Sequence, residues 1–420
     1  MRTIHFTDTY LPRRDGVVTS VRTLVAALSA SGHSALTVVP RHPDQADDDA
    51  LIRLAAVPCG VADLRMSRWP LRRAWALGAL AEIAAAAPEV VHVHTPGPVG
   101  LLGVLAARTL GVPLVQTYHT DLHAYADAYR VPHAALLASL HLYARRLGLP
   151  RPATVPTSTG PGRRAGRRRA VVDATNTLLL GDADALVVPT RAVLQRLRPP
   201  VAAERVFVIP TGVAARPIDP AAVRDFRAAH GLTDATRVVL FVGRVNREKG
   251  VELLAEAFAR LATGRDDLRL VLVGAVYDRR WLAALLDRHG IAGRVVVTGQ
   301  QPPAGVSAAY GSADVFAFPS TSDTQALVLQ EAAHAGLPVV MVDEALHEHG
   351  PLAGAAVLTR PDARDLAAGL GTVLDDPQGT GRLARRAARH AGGHTPQAYA
   401  AAMHAVYAGG VRARTAPRSW

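Results

Sequence analysis

A chain of 420 residues, 49% hydrophobic, can bury more than one core, and its length favours two or three domains. Its single cysteine, Cys59, excludes an intrachain disulfide and a thiolate cluster, and no run of about 18 uncharged apolar residues is present to span a bilayer. The formal net charge of +12 asks for an anionic partner and is uneven: residues 1–213 carry 24 Arg against 15 acids, the remainder 23 Lys+Arg against 20.

Met1 to Asp8 alternates as a strand and lacks a signal-peptide core, which with the lone cysteine points to the cytosol. Strand-length apolar runs follow in order at Thr3–Thr7, Ala35–Val39, Val90–His94, Pro113–Thr117, Ala185–Val188 and Val206–Ile209. Helical periods fall between them at Val18–Ala30, Pro98–Leu110 and Arg191–Arg198. The rhythm restarts at Val238–Val242, Leu268–Val273, Arg294–Thr298, Val315–Phe318 and Pro338–Val342, with a helix over Val251–Leu261. Alternation of this kind predicts parallel sheets covered on both faces. Pro210 to Pro220, with three prolines and a glycine, reads as a linker. The expected architecture is therefore α/β, two Rossmann-like doubly wound domains, 1–213 and 214–394, facing across a ligand cleft. A final helix, 395–410, is expected to cross back to the first domain.

Two basic segments stand out in the first half. Leu64 to Trp75 mixes Arg65, Arg68, Arg72 and Arg73 with Trp69 and Trp75, a composition suited to an anionic membrane surface. Both tryptophans could equally begin an ordinary core helix. Residues 150–170, rich in Pro, Gly and Arg, read as an unstructured basic insert. Nucleic acid is a poor fit for this charge, because aromatics are 5% and no recognition motif is present.

Lys249 is the only lysine, and it lies in Gly243-Arg244-Val245-Asn246-Arg247-Glu248-Lys249-Gly250, between a strand and a helix. Two cations in a loop that opens a helix N-terminus form a phosphate site. The first strand is followed by Asp8 to Gly16 with no dinucleotide fingerprint; Gly16 would let a phosphate or sugar approach backbone amides. Phe318 to Ala332 carries Asp323 in a polar loop, a helix expected to open near Gln325, and Glu331 about two helical turns beyond Asp323. Asp323 could also cap that helix. His92, His94, His119 and His123 gather near strand ends, but no acid has metal-site spacing to them, so no metal is expected.

Taken together, Asp8-Thr9-Tyr10-Leu11-Pro12 with Gly16-Val17, Tyr118-His119-Thr120, the Arg244 to Gly250 loop and the Asp323 to Glu331 segment resemble retaining glycosyltransferases of the GT-B fold, family 4. Within that family the chain looks most similar to bacterial lipid mannosyltransferases of the phosphatidylinositol type and to diacylglycerol glucosyltransferases. The resemblance implies transfer of mannose or glucose from a GDP-mannose or UDP-glucose type donor to a lipid or polyol hydroxyl, without a metal or other cofactor. It implies that Arg244 and Lys249 hold the diphosphate, Glu331 the ribose, and Asp323 sugar hydroxyls. Gly16 closes on the phosphates and His119 faces the reacting sugar, near its 6-hydroxyl. Thr324, Gln325, Ala326 and Leu327 complete the donor site, while Tyr10, Thr120 and Arg68 serve the acceptor. A cytoplasmic enzyme resting on the inner face of the membrane follows. Asp323 stands where the family more often has the longer Glu, and Ala326 replaces a common Gly. A non-catalytic nucleotide- or membrane-binding partner protein and a nucleotide-sugar epimerase are the alternatives.

Overall fold

The computed structural model describes residues 1–59, 64–71, 74–128, 131–150, 152 and 163–415. The chain divides into two compact units, Met1–Gly212 with Pro396–Trp420, and Val213–Thr395.

The strands of the first unit are β1 (Arg2–Phe6), β2 (Ser34–Pro40), β3 (Leu51–Leu54), β4 (Ala56–Pro58), β5 (Arg65–Ser67), β6 (Val90–Val93), β7 (Leu114–Thr117), β8 (Ala185–Val188) and β9 (Val206–Val208). Seven of them form one parallel sheet in the order β3-β2-β1-β6-β7-β8-β9, and β4 pairs with β5 as a separate antiparallel hairpin. Four of the five residues of β1, and all of β6, β7 and β8, are buried, as strands covered on both faces must be. The helix Gly16–Ala30 buries Val18, Val21, Leu24 and Leu28 along one stripe. The helix Pro396–Thr415 packs in the same core, through Tyr399, Met403 and Tyr407 against Leu24, Val90 and Val187.

In the second unit β10 (Arg237–Val242), β11 (Leu268–Val273), β12 (Val295–Gly299), β13 (Val315–Phe318), β14 (Val339–Met341) and β15 (Val357–Leu358) form a parallel sheet in the order β12-β11-β10-β13-β14-β15. The helix Val251–Leu261 places Val251, Leu254, Ala255, Phe258 and Leu261 in its core, an i, i+3, i+4, i+7 pattern.

Both sheets reverse strand order at one point, between β1 and β6 and between β10 and β13. Loops leaving the carboxyl ends of adjacent strands diverge there, and open α/β sheets take ligands at that crevice.

The short strands β3, β4, β5 and β15 carry too little apolar pattern to be legible beforehand. The 150–170 segment was expected to be unstructured throughout, yet the helix Arg163–Leu180 begins inside it. That helix buries Ala170, Val171, Val172, Leu178 and Leu179, and this apolar run carries helical structure back through the arginines. Residues 151 and 153–162 lie outside the described residues.

Candidate active site

The second unit's switch point holds the lone lysine. After β10, the Gly243 amide bonds the Val273 carbonyl, and Asn246 Oδ1 accepts from the Lys249 amide at 3.1 Å to wind a 3₁₀ turn, Arg247–Lys249. Gly250 ends the turn at φ 72°, and a Cβ there would lie 2.2 Å from the Pro319 carbonyl oxygen. Only glycine satisfies both constraints, so the loops after β10 and β13 meet backbone to backbone.

That approach joins their side chains. Lys249 Nζ donates to Asp323 Oδ1 at 2.7 Å, and Ser320 Oγ donates to Asp323 Oδ2 at 2.5 Å. Arg244 Nη2 donates to Glu248 Oε1 at 3.0 Å, and Lys249 Nζ lies 3.7 Å from the same oxygen. All four charged side chains are between 12% and 21% exposed, so they face inward yet keep a route to solvent. Burial pushes the Asp323 carboxyl up, but the Lys249 ammonium, the bonds from Lys249 and Ser320, and the Arg244 charge hold it below its ordinary value. Two cations and two carboxylates make the cluster formally neutral. Glu248 and Ser320 went unremarked as site residues in the sequence; Glu248 hides because a carboxylate beside a supposed phosphate lysine has no obvious role.

Asp323 does not cap the following helix. That helix is Leu327–His334, later than expected, and its N-cap is Ala326 in a left-handed conformation at φ 58° with no side-chain cap bond. Asp323 and Glu331 therefore do not share a helix, and their spacing comes from the loop. Glu331 Oε2 accepts from the Tyr310 hydroxyl at 3.0 Å, and burial, opposed by the Arg216 charge and by this bond, raises its carboxyl. Gln325 Nε2 donates to Gln330 Oε1 at 2.6 Å, tying the loop to the helix. Thr324 and Leu327 are half-buried, while Gln325 and Ala326 are buried. Tyr310 could not be found by spacing, since it comes from the helix Pro303–Gly311.

In the first unit the loops after β1 and β6 carry the other set. Asp15 caps the helix Gly16–Ala30, accepting from the Val18 amide at 3.0 Å, Thr9 Oγ1 at 2.9 Å and Arg13 Nε at 2.8 Å. Gly16 is thereby fixed as the first helical residue. Asp8 accepts from Thr95 Oγ1 at 2.6 Å and the Val99 amide at 2.8 Å, locking the loop after β1 to the helix Pro98–Leu110. His119 follows β7; burial lowers its pKa to about 4, and the Asp15 carboxylate pulls the other way. Tyr10 is half-buried and bonds Arg22, and Thr120 is half-buried beside His119. Arg68 is exposed on the segment after β5, not on a strand end of the large sheet.

The histidine cluster differs from its expected membership. His5, His92 and His94 have ring nitrogens within 4.8 Å of one another, whereas His123 pairs with Asp173 at 2.9 Å. His92 bonds Tyr407 and Thr117, both at 2.7 Å.

Comparison with known proteins places the chain. Residues 14–216 match the model described as Glycosyltransferase Family 4, and residues 236–376 match Glycosyl transferases group 1. A D-inositol 3-phosphate glycosyltransferase of Xylanimonas cellulosilytica is 31% identical over 78% of this chain and 73% of its own length. The chain belongs to glycosyltransferase family 4. An alpha-monoglucosyldiacylglycerol synthase of Streptococcus pneumoniae is 28% identical to this glycosyltransferase, over 81% of this chain and 70% of the relative. A GDP-mannose-dependent alpha-mannosyltransferase of Mycolicibacterium smegmatis is 28% identical over 82% and 80%. A sucrose-phosphate synthase from Thermosynechococcus elongatus superposes with a TM-score of 0.72 over 98% of this chain and 100% of its own, at 21% identity. That likeness shows the fold, GT-B, with its two parallel-sheet α/β domains.

The basic Leu64–Trp75 segment of the glycosyltransferase splits between the two readings of its tryptophans. Trp69 is 3% exposed and donates Nε1–H to the Pro98 carbonyl at 2.6 Å, so it is a core residue and not an interface anchor. Around it Met66, Leu71 and Leu77 are 48%, 59% and 61% exposed. Arg72 and Arg73 and the Trp75 side chain lie outside the described residues. Among the described residues no helix is long and apolar enough to cross a membrane.

Proposed function

We propose that this glycosyltransferase transfers a hexose from a nucleoside diphosphate sugar to a hydroxyl of a membrane lipid or glycolipid, with retention of anomeric configuration. The observation that carries the reading is the Arg244–Glu248–Lys249–Asp323 cluster at the β10/β13 switch point. A diphosphate arriving there takes hydrogen bonds from Arg244 and Lys249, and the Gly243 to Gly250 backbone lets it approach. The two cations stabilise the departing diphosphate in the place a divalent metal takes elsewhere, so transfer proceeds without one. The leaving oxygen then accepts the acceptor's proton on the face it departs from. Glu331, oriented by Tyr310, accepts from ribose hydroxyls, and Asp323, released from Lys249, accepts from sugar hydroxyls. In the first unit Gly16 offers its backbone amide to an anionic group, and His119 contacts the transferred sugar beside its 6-hydroxyl.

A lipid acceptor is supported by the diacylglycerol named in two relatives and by the exposed Met66, Leu71 and Leu77 beside Arg68. Apolar side chains among arginines suit reversible docking on an anionic cytoplasmic leaflet. The donor favoured is GDP-mannose, which two relatives from mycobacteria carry in their names.

The test is turnover of GDP-mannose and of UDP-glucose in EDTA, with anionic phosphatidylinositol vesicles, with diacylglycerol vesicles and with soluble inositol phosphate. Lipid glycosylation in chelator, with the α-anomer retained, is expected. Binding of a donor without transfer or hydrolysis overturns the enzymatic reading in favour of a partner protein.

A further inference from the structure

One face of the first unit's sheet carries a polar seam where an apolar core belongs. Thr3 and His5 on β1, His92 and His94 at β6, and Thr117 and His119 at β7 alternate at period two, so each pair points the same way. His5 is registered with His92, and Thr3, His5, His92 and His94 are at most 3% exposed. Burying this many polar atoms is costly unless each one is paired.

They are paired in sequence. Thr3 Oγ1 meets His5 Nε2 at 3.0 Å, His5 Nδ1 meets His94 Nε2 at 3.1 Å, and His94 Nδ1 meets His119 Nε2 at 3.1 Å. The chain starts at the amino-terminal end of β1 and finishes at the carboxyl-end loop after β7. We propose that Thr3, His5 and His94 are positioning residues that fix His119 as its Nε2–H tautomer, with Nδ1 the acceptor nitrogen presented to a sugar hydroxyl.

The proposed direction turns on one hydroxyl proton. Thr3 Oγ1 lies 3.3 Å from the Ser34 carbonyl and 3.0 Å from His5 Nε2, and with its single proton turned to the carbonyl it accepts from His5. His5 is then protonated on Nε2 and bare on Nδ1, and accepts from His94 Nε2–H. His94 is bare on Nδ1 in turn and accepts from His119 Nε2–H. The argument needs one ring proton per histidine. Burial supplies that condition, lowering His5 to about 3, His119 to about 4 and His94 well below the ordinary imidazole value. A neutral ring has one donor and one acceptor nitrogen, and the bond made by one nitrogen assigns the other. His92 stands beside the chain, its two nitrogens engaged by Tyr407 and Thr117.

The inference rests on the proposed contact of His119 with the transferred sugar, and the test separates the two. Ring nitrogens are observed by long-range ¹⁵N–¹H correlation in the full-length enzyme labelled with [¹⁵N]histidine, the His119 signals being identified by their loss in His119→Gln. Expected in the unmodified, nucleotide-free enzyme is a single His119 tautomer protonated on Nε2 from pH 6 to 8. In His5→Leu the tautomer becomes mixed and kcat falls on the order of tenfold, the scale at which partners orienting histidine ligands act, with donor KM little changed. His5→Asn, whose carboxamide oxygen can stand where Nδ1 stood, restores both.

A His119 ring protonated on Nδ1 overturns the proposal, as does a His119 tautomer unmoved by His5→Leu. Zinc co-purifying in stoichiometric amount on His5, His92 and His94 overturns it too. If His5→Leu fails to fold, the unmodified spectrum and His5→Asn still decide. If the tautomer is as expected but His119→Gln keeps full turnover, the ordered chain stands and the sugar contact falls.

Discussion

Lys249 Nζ donates to Asp323 Oδ1 across 2.7 Å, joining two loops 74 residues apart at the point where the second sheet reverses its strand order. The lysine meets a carboxylate where a phosphate was expected, and this sets what diphosphate binding must do. On the proposed function the ammonium exchanges Asp323 for a phosphate oxygen, and the exchange releases Asp323 for the sugar. Lys249→Ala is expected to lower kcat at least a hundredfold, about 3 kcal/mol of barrier for one preorganised donor. Steady-state turnover with circular dichroism checks it, and near-normal turnover in a folded variant removes the phosphate role.

The same pair makes stability depend on acid. Asp323 is held below its ordinary carboxylate value in the fold, so its contribution is fully present above the unfolded value, near 3.9, and is lost as pH falls through the lower folded value. Asp323→Asn is therefore expected to be less stable than the parent at pH 7 and to lose that difference towards pH 3. Urea midpoints at several pH values test the sign.

Glu331 is shifted the opposite way. Burial raises its carboxyl, so the charged form is penalised in the fold, with the penalty absent below the unfolded value and complete above the folded one. Glu331→Gln is expected to match or exceed the parent's stability at pH 7. On the proposed role the charge-assisted bonds to ribose go with it, about 2 kcal/mol or roughly thirtyfold in nucleotide affinity. Calorimetry with GDP and UDP measures the loss.

Ala326 sits at φ 58°, where a Cβ is strained against the neighbouring carbonyl. Ala326→Gly is expected to stabilise the second unit by about 1 kcal/mol, since the left-handed conformation costs a β-carbon about that much. A lowered urea midpoint would show that packing around the buried methyl outweighs the backbone strain.

Tyr407 brings the C-terminal helix to His92, its hydroxyl 2.7 Å from Nδ1 inside the first unit's core. Tyr407→Phe leaves a buried ring nitrogen without that partner and is expected to cost about 1–3 kcal/mol in urea unfolding. Removal of the hydroxyl without any change in midpoint would mean the bond contributes nothing net.

Strand and helix periodicity placed β1, β2, β6 to β14 and the helices Pro98–Leu110 and Val251–Leu261 to within a residue or two, because each is long or apolar enough to show its period. The short strands β3, β4, β5 and β15 did not, and neither did the helix that starts among the arginines at 163, where local polarity hides burial further along. Trp69 shows the limit of composition: arginine and tryptophan together suggested a membrane surface, but a carbonyl at Pro98 draws the indole inward.

From residue order alone came the βαβ rhythm, the family likeness and the segments that bear Gly16, His119, Arg244, Lys249, Asp323 and Glu331, because period, glycine placement and charge are local properties of a chain. Pairing is not local. That Lys249 faces Asp323, that Tyr310 orients Glu331, and that Thr3, His5 and His94 line up behind His119 were decided only when parallel strands set distant segments in register. Their hydrogen bonds depend on separations of a few ångströms that the sheet, and nothing in the sequence spacing, enforces.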